Sequence, residues 1–163
     1  MRPRNKSLYQ RRLAAPIVLT LATLFSTTLL SQSVPNFSGV WKLRTDRPNY
    51  SETWTVKQTA QNIQIHMEIT GGQLGDRVLD FAADLDGKEH TQTVLGTEAT
   101  VTAAFQGDAL ILEIKRQAKP DLLLHNRRLL RLADEKKRIE SRTVVFSPPP
   151  FKAHTENFDR QTS

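Results

Sequence analysis

The sequence predicts an all-β protein: one antiparallel up-and-down β-barrel of about 8–10 strands, preceded by an N-terminal signal segment. Three observations lead there. Apolar and polar residues alternate with period two over most of the chain after residue 33. Glycine-bearing turn pairs fall between the alternating runs. The first 33 residues follow a different pattern, basic and then apolar.

That first segment carries Arg2, Arg4, Lys6, Arg11 and Arg12 and no acid. Leu13 to Leu30 then runs for 18 residues without a charge, and Ser31-Gln32-Ser33 follows. A basic head, an apolar middle and a small-x-small exit are the order of a signal peptide, because the peptidase site admits only small side chains. The reading divides the chain into a signal peptide at 1–33 and a barrel domain at 34–163, periplasmic or secreted. The alternative is an inner-membrane anchor formed by residues 13–30, since roughly 20 apolar residues cross a bilayer. Pro16 and four threonines within the run weigh against the anchor.

The barrel strands follow in order. Phe37, Gly39, Trp41 and Leu43 alternate with Ser38, Val40, Lys42 and Arg44. Trp54 and Val56 alternate with Thr53, Thr55 and Lys57; Ile63, Ile65, Met67 and Ile69 alternate with Gln64, His66, Glu68 and Thr70. Ala99 to Phe105 and Leu110 to Ile114 repeat the pattern. Strands are expected near 38–44, 52–58, 62–70, 77–83, 89–95, 98–106, 109–117, 122–132, 137–146 and 152–160. Asp86-Gly87 and Gly107-Asp108 sit at hairpin spacing, and Asp134-Glu135-Lys136 is a polar turn. Leu122 to Leu132 also admits a short helix, and its strand neighbours decide for a strand. Pro148-Pro149-Pro150 interrupts before the last run, since proline has no N–H to give a ladder.

Charge excludes one class of partner. Residues 34–163 hold 18 basic and 17 acidic side chains, a net charge of +1. The basic surplus belongs to the signal, so no nucleic-acid partner is expected. Membrane contact is expected only through the signal segment, if it stays uncleaved. Residues 34–114 have a net charge of −5 and residues 115–142 one of +6. Cross-strand pairing accounts for this contrast; a cationic wall facing anionic lipid or glycan is the alternative. There is no cysteine, so disulfides, thiolate chemistry and lipid attachment to a cysteine are all excluded.

The remaining chemistry is sparse. His66, His90, His125 and His154 fall on four different expected strands without ligand spacing, and Asp80, Asp84, Asp86 and Glu89 lack the frame of a calcium loop. No catalytic residue, metal site or cofactor is expected, and the chain is not expected to be an enzyme. The aromatic residues are more informative, because Trp41 and Trp54 lie on inward faces and small barrels hold apolar ligands.

Several segments resemble, in order, bacterial lipocalin-like exported proteins of the broader calycin type. Phe37-Ser38-Gly39-Val40-Trp41-Lys42-Leu43 is similar to their Phe-Ser-Gly-x-Trp-Lys-Leu opening. Glu52 to Gln58, Asp86-Gly87-Lys88-Glu89-His90 and Phe105-Gln106-Gly107-Asp108-Ala109-Leu110 resemble later motifs, and the likeness covers most of 36–146. Phe105 stands where the family has Trp, and Asn126-Arg127-Arg128-Leu129-Leu130 replaces a Glu-Arg-Trp strand. The resemblance implies a barrel base of Phe37, Gly39 and Trp41 covered by a late-strand arginine, Arg142 or Arg160, through cation–π stacking. It also implies an interior lined by Trp54, Met67, Phe81 and Phe105.

The function expected from all this is non-enzymatic binding of a small apolar or amphipathic ligand inside the barrel. The alternative is an envelope interaction module with a filled core that binds a protein or glycan by its surface. Cavity against filled interior separates the two.

Overall fold

Alternating sequences of this kind bury one face of each strand, and a closed sheet gives all those faces one shared interior. The computed structural model describes residues 34–72, 75–150 and 152–162 and realises that solution. The export segment at 1–33 lies outside the described residues. Ten strands follow one another: β1 (Gly39–Leu43), β2 (Ser51–Gln58), β3 (Asn62–Thr70), β4 (Arg77–Asp84), β5 (His90–Val94), β6 (Thr97–Gln106), β7 (Ala109–Lys119), β8 (Leu122–Ala133), β9 (Arg138–Ser147) and β10 (Lys152–Arg160). Each expected strand is present, and Leu122 to Leu132 is a strand.

Every pairing is antiparallel, and β1 pairs with β10, so the first and last strands meet. The sheet order is β4-β3-β2-β1-β10-β9-β8-β7-β6-β5. No ladder joins β4 to β5, so the barrel is nearly closed, with one seam. Gln92 of β5 spans that seam. Its Oε1 accepts from the Ala82 amide at 3.1 Å, and its Nε2 donates to the Ala82 carbonyl. One side chain thereby supplies the donor and acceptor that a missing strand would have offered.

The two barrel ends differ. The connections after β2, β4, β6 and β8 form one end, which is closed by side chains. Phe37, Trp41, Ile63, Leu110, Ile139 and Phe158 are fully buried there or just above it. Trp41 Nε1 donates to the Phe37 carbonyl at 2.8 Å. The Arg160 guanidinium lies 4.5 Å from the Trp41 ring and donates to the Ser38 carbonyl at 3.1 Å. Gly39 makes room for it: with φ +142, it would bring a Cβ to 3.5 Å from the Arg160 guanidinium carbon. Arg142 corrects the sequence expectation. It falls between the inward Ser141 and Thr143 on β9, so alternation turns it outward, away from Trp41.

The charge contrast along the chain resolves into pairs. Arg127 and His125 both meet Glu113, at 2.6 and 2.8 Å, and Lys115 meets Glu89 at 2.6 Å. Arg131 reaches Asp108 at 3.6 Å. The basic strands thus lie against acidic neighbours. Burial alone would push the Glu113 carboxyl up, but Arg127 and His125 hold it below its ordinary value.

Candidate functional site

Exposure along the inward faces locates an opening. On β10 the inward side chains run from Phe158, fully buried, through Glu156 to His154, which is 49% exposed. On β8 they run from Leu130 at 1% to Arg128 at 21%, and on β7 Leu110 and Leu112 give way to the half-buried Ile114 and Arg116. A residue that faces into a barrel is exposed only where solvent enters. The half of the interior reached from the connections after β1, β3, β5, β7 and β9 is therefore an open cup, and the other half is packed.

The cup's floor is polar. Glu52 of β2 shares the inward parity of Trp54 and is only 3% exposed. Its Oε1 accepts from Trp54 Nε1 at 2.6 Å, and its Oε2 accepts from the Tyr50 hydroxyl at 2.9 Å. Arg128, on the far wall, reaches across the lumen. Its Nη1 stands 3.8 Å from Glu52 Oε1, and its guanidinium carbon is 5.0 Å from the Trp54 ring. Trp54 packs on its other side against Phe158, with ring centroids 4.2 Å apart. Burial first, then the charge and hydrogen bond of Glu52, push the Tyr50 phenol up to about 12. Tyr50 therefore stays a donor at neutral pH.

Around Arg128 the inward positions of β8 and β9 are polar too. Arg128 pairs across the strands with Thr143, Leu130 with Ser141 and Asn126 with Val145. Asn126 Oδ1, Arg128 Nη1, Ser141 Oγ and Thr143 Oγ1 are buried with no hydrogen-bond partner. Buried polar atoms are nearly always satisfied, so a cluster of four is a feature to explain. Around this floor the walls are mixed: Ile69, Leu79, Val94, Ile114, Leu124 and Val145 share the inward positions with Arg77, Arg116, Lys152 and His154.

The sequence-derived interior residues divide between the two halves. Trp54 and Met67 are cross-strand partners and lie at the floor. Phe81 is one inward position nearer the closed end than Leu79 and belongs to the packed core. Phe105 stacks loosely on Phe37 at 6.3 Å and joins the base, not the cup. Sequence reading overlooked Glu52, Asn126, Arg128, Ser141 and Thr143. Glu52 was recoverable, because it stands two residues before Trp54 on the same face. Asn126 and Arg128 were masked by apolar residues on both faces of β8.

A second concavity, of about 560 Å³, lies on the outer wall over β2, β3 and β4. Thr55, Lys57, Gln64, His66 and Asp80 line it with outward side chains. His66 Nδ1 is 2.6 Å from Asp80 Oδ1, and this contact, with Glu68 at 3.3 Å, holds the imidazole pKa above its ordinary 6.5. In this groove the titratable groups His66 and Asp80 already pair with each other. The cup holds the unmet hydrogen-bonding groups, and it is the better candidate. Among the described residues, no three His, Asp or Glu side chains converge to hold a metal ion.

No family model and no curated protein matches the sequence. The backbone is similar to that of secretory abundant heat soluble protein 4 from Ramazzottius varieornatus, with a TM-score of 0.59 and 11% identity, over 81% of this chain and 100% of that one. It is similar to apo lipid binding protein 8 of Caenorhabditis elegans, with a TM-score of 0.57 and 10% identity, over 79% of this chain and 99% of that one. It is also similar to the fluorescent protein UnaG, with a TM-score of 0.52 and 13% identity, over 77% and 97% of the two chains. The fold is therefore that of a calycin-type antiparallel barrel.

Proposed function

We propose that this chain is a non-enzymatic, exported barrel that binds a small apolar or amphipathic molecule in the cup. The observation that carries the reading is the set of four buried, unpartnered polar atoms at the floor of a solvent-accessible cup. In small-molecule sites a few placed polar groups inside a concavity fix the ligand. The lipid-binding name of one structural neighbour agrees with it. In this reading Trp54 and Met67 form the apolar part of the floor. Phe37, Gly39, Trp41 and Arg160 seal the opposite end, and Phe81 and Phe105 serve the core. Residues 1–33 are a cleaved signal, 34–163 the working domain, and the compartment is periplasmic or extracellular.

The test is native mass spectrometry of the protein purified from its own producing cell. A stoichiometric small molecule, released by organic solvent, is the expected result. The surface-binding module is the second reading, favoured by the outer groove over β2–β4. It predicts instead that no small molecule copurifies and that substitutions at Lys57 and His66 abolish capture of a macromolecular partner.

A further inference from the structure

The cup floor holds an unfinished hydrogen-bond set, and its chemistry discriminates among amphipaths. Arg128 Nη1 is a donor without an acceptor, and Asn126 Oδ1 is an acceptor without a donor. Ser141 Oγ and Thr143 Oγ1 can each do either, and these residues are 0% and 4% exposed. The group that completes this set must both donate and accept. A carboxylate only accepts, so it would leave Asn126 Oδ1 unmet.

Charge leads to the same conclusion. Arg128 offers a cation at the floor, but Glu52 already stands 3.8 Å from it. Glu52 is held there by Trp54 and Tyr50, so it cannot swing away without leaving both donors unpaired. A second carboxylate on Arg128 would face the first across the same guanidinium, where low dielectric magnifies the repulsion. Other cations also face inward, Arg77 in register with Ile69 and Glu52, Lys152 with Val145 and Asn126, and Arg116 with Leu124, but Glu52 is the carboxylate that a second one on Arg128 would meet.

Resting on the reading of the chain as a ligand-binding barrel, we propose that the cup takes a neutral amphipath head-first. The head is a hydroxyl or carboxamide seated among Asn126, Arg128, Ser141 and Thr143, the tail lies along Ile69, Ile114 and Val145, and Glu52 is the filter that rejects fatty-acid anions. The ligand class is that of fatty alcohols, fatty amides and the glycerol end of monoacylglycerols.

The experiment compares dodecanol, dodecanamide and dodecanoate, which share one tail length, by isothermal titration calorimetry on the purified protein near neutral pH. The alcohol and the amide bind about tenfold or more tighter than the carboxylate, the scale of one hydrogen bond or charge contact at a buried group. Glu52→Gln keeps an acceptor for Trp54 and removes the charge; its dodecanoate affinity rises about tenfold while dodecanol changes little. Thr143→Val weakens dodecanamide several-fold yet leaves the thermal midpoint equal or higher, because it deletes a hydroxyl that has no partner in the empty protein. This variant keeps the test sharp if Glu52→Gln fails to fold. Dodecanoate binding as tightly as the alcohol, or equally in wild type and Glu52→Gln, overturns the filter and leaves the binding-barrel reading intact. No heat from any of the three ligands overturns both.

Discussion

Two tryptophans show how one residue type does different work at different depths. Trp41 closes the packed end under Arg160, and Trp54 holds Glu52 at the floor of the cup. Trp41→Ala is expected to cost about 3–5 kcal/mol in urea unfolding, the range for deleting a buried large aromatic. Trp54→Ala would be the milder change if Trp54 only lined a pocket. Its ring is fully buried, stacked on Phe158 and bonded to a buried carboxylate, so a loss in the same range is expected. The milder probe is Trp54→Phe, which keeps most of the ring and strips one donor from Glu52, at about 1.5–3 kcal/mol. Arg160→Ala should cost about 0.5–1 kcal/mol as an exposed cation–π contact, and Arg142→Ala should stay within about 0.5 kcal/mol. Tyr50 gives a pH signature. Its folded pKa of about 12 lies above the ordinary 10.0, so its contribution is intact below about pH 10 and is lost as pH rises through about 12. Tyr50 is the sole tyrosine of residues 34–163, so phenolate absorbance of the processed protein reads it directly. Glu52→Gln should lower that midpoint, and an unmoved midpoint would contradict the assigned cause.

The strands show where the barrel is held weakly. Nine of ten neighbouring positions around the barrel are joined by ladders, and the β4–β5 seam rests on Gln92. Gln92→Ala should speed hydrogen exchange of the Ala82 amide about tenfold, the equivalent of one net hydrogen bond, while amides in the β2–β3 ladder keep their protection. The β8–β9 turn is a second weak point. Asp134, Glu135 and Lys136 adopt φ of 48°, 54° and 68° in succession, a left-handed run without glycine. Lys137 N donates to the Asp134 carbonyl at 3.0 Å and Arg138 pairs with the Asp134 carboxylate at 2.8 Å, which hold the turn in place. Lys136→Gly should stabilise the protein by about 1 kcal/mol, because left-handed backbone is unfavourable for a residue with a Cβ.

At the scale of the whole molecule the barrel is asymmetric along its axis. One half is a packed aromatic and aliphatic core, and the other is an accessible cup with unmet polar groups. The strut of Arg128, Glu52 and Trp54 crosses the lumen between them. This division lets the cup carry unsatisfied atoms that would be intolerable in a protein with less core. Among the described residues β1 and β2 are joined by the short segment 44–50, with no helix between them. Protein recovered from the producing cell is expected to begin near Val34. Edman sequencing or intact-mass measurement that finds residues 1–33 in a membrane fraction would make the chain an anchored protein instead.

The sequence by itself determined the ten strands and their antiparallel order. Period-two alternation fixes which residues of a strand share a face, and turn residues fix where it reverses, and both are local properties. The barrel-base role of Gly39 and Trp41 was legible only through the resemblance of residues 37–43 to calycin-type openings. Which arginine covers Trp41 was not, since that depends on the β1–β10 register, a pairing across more than a hundred residues. The parity of β8 was equally hidden. Leu122 to Leu132 has leucine on both faces, and only its registers with β7 and β9 turn Asn126 and Arg128 inward and Arg127 outward. The cup floor is assembled from β2, β8 and β9, whose side chains meet across the lumen. Barrel closure alone brings a glutamate at position 52 beside an arginine at position 128, so the tertiary structure decided the site.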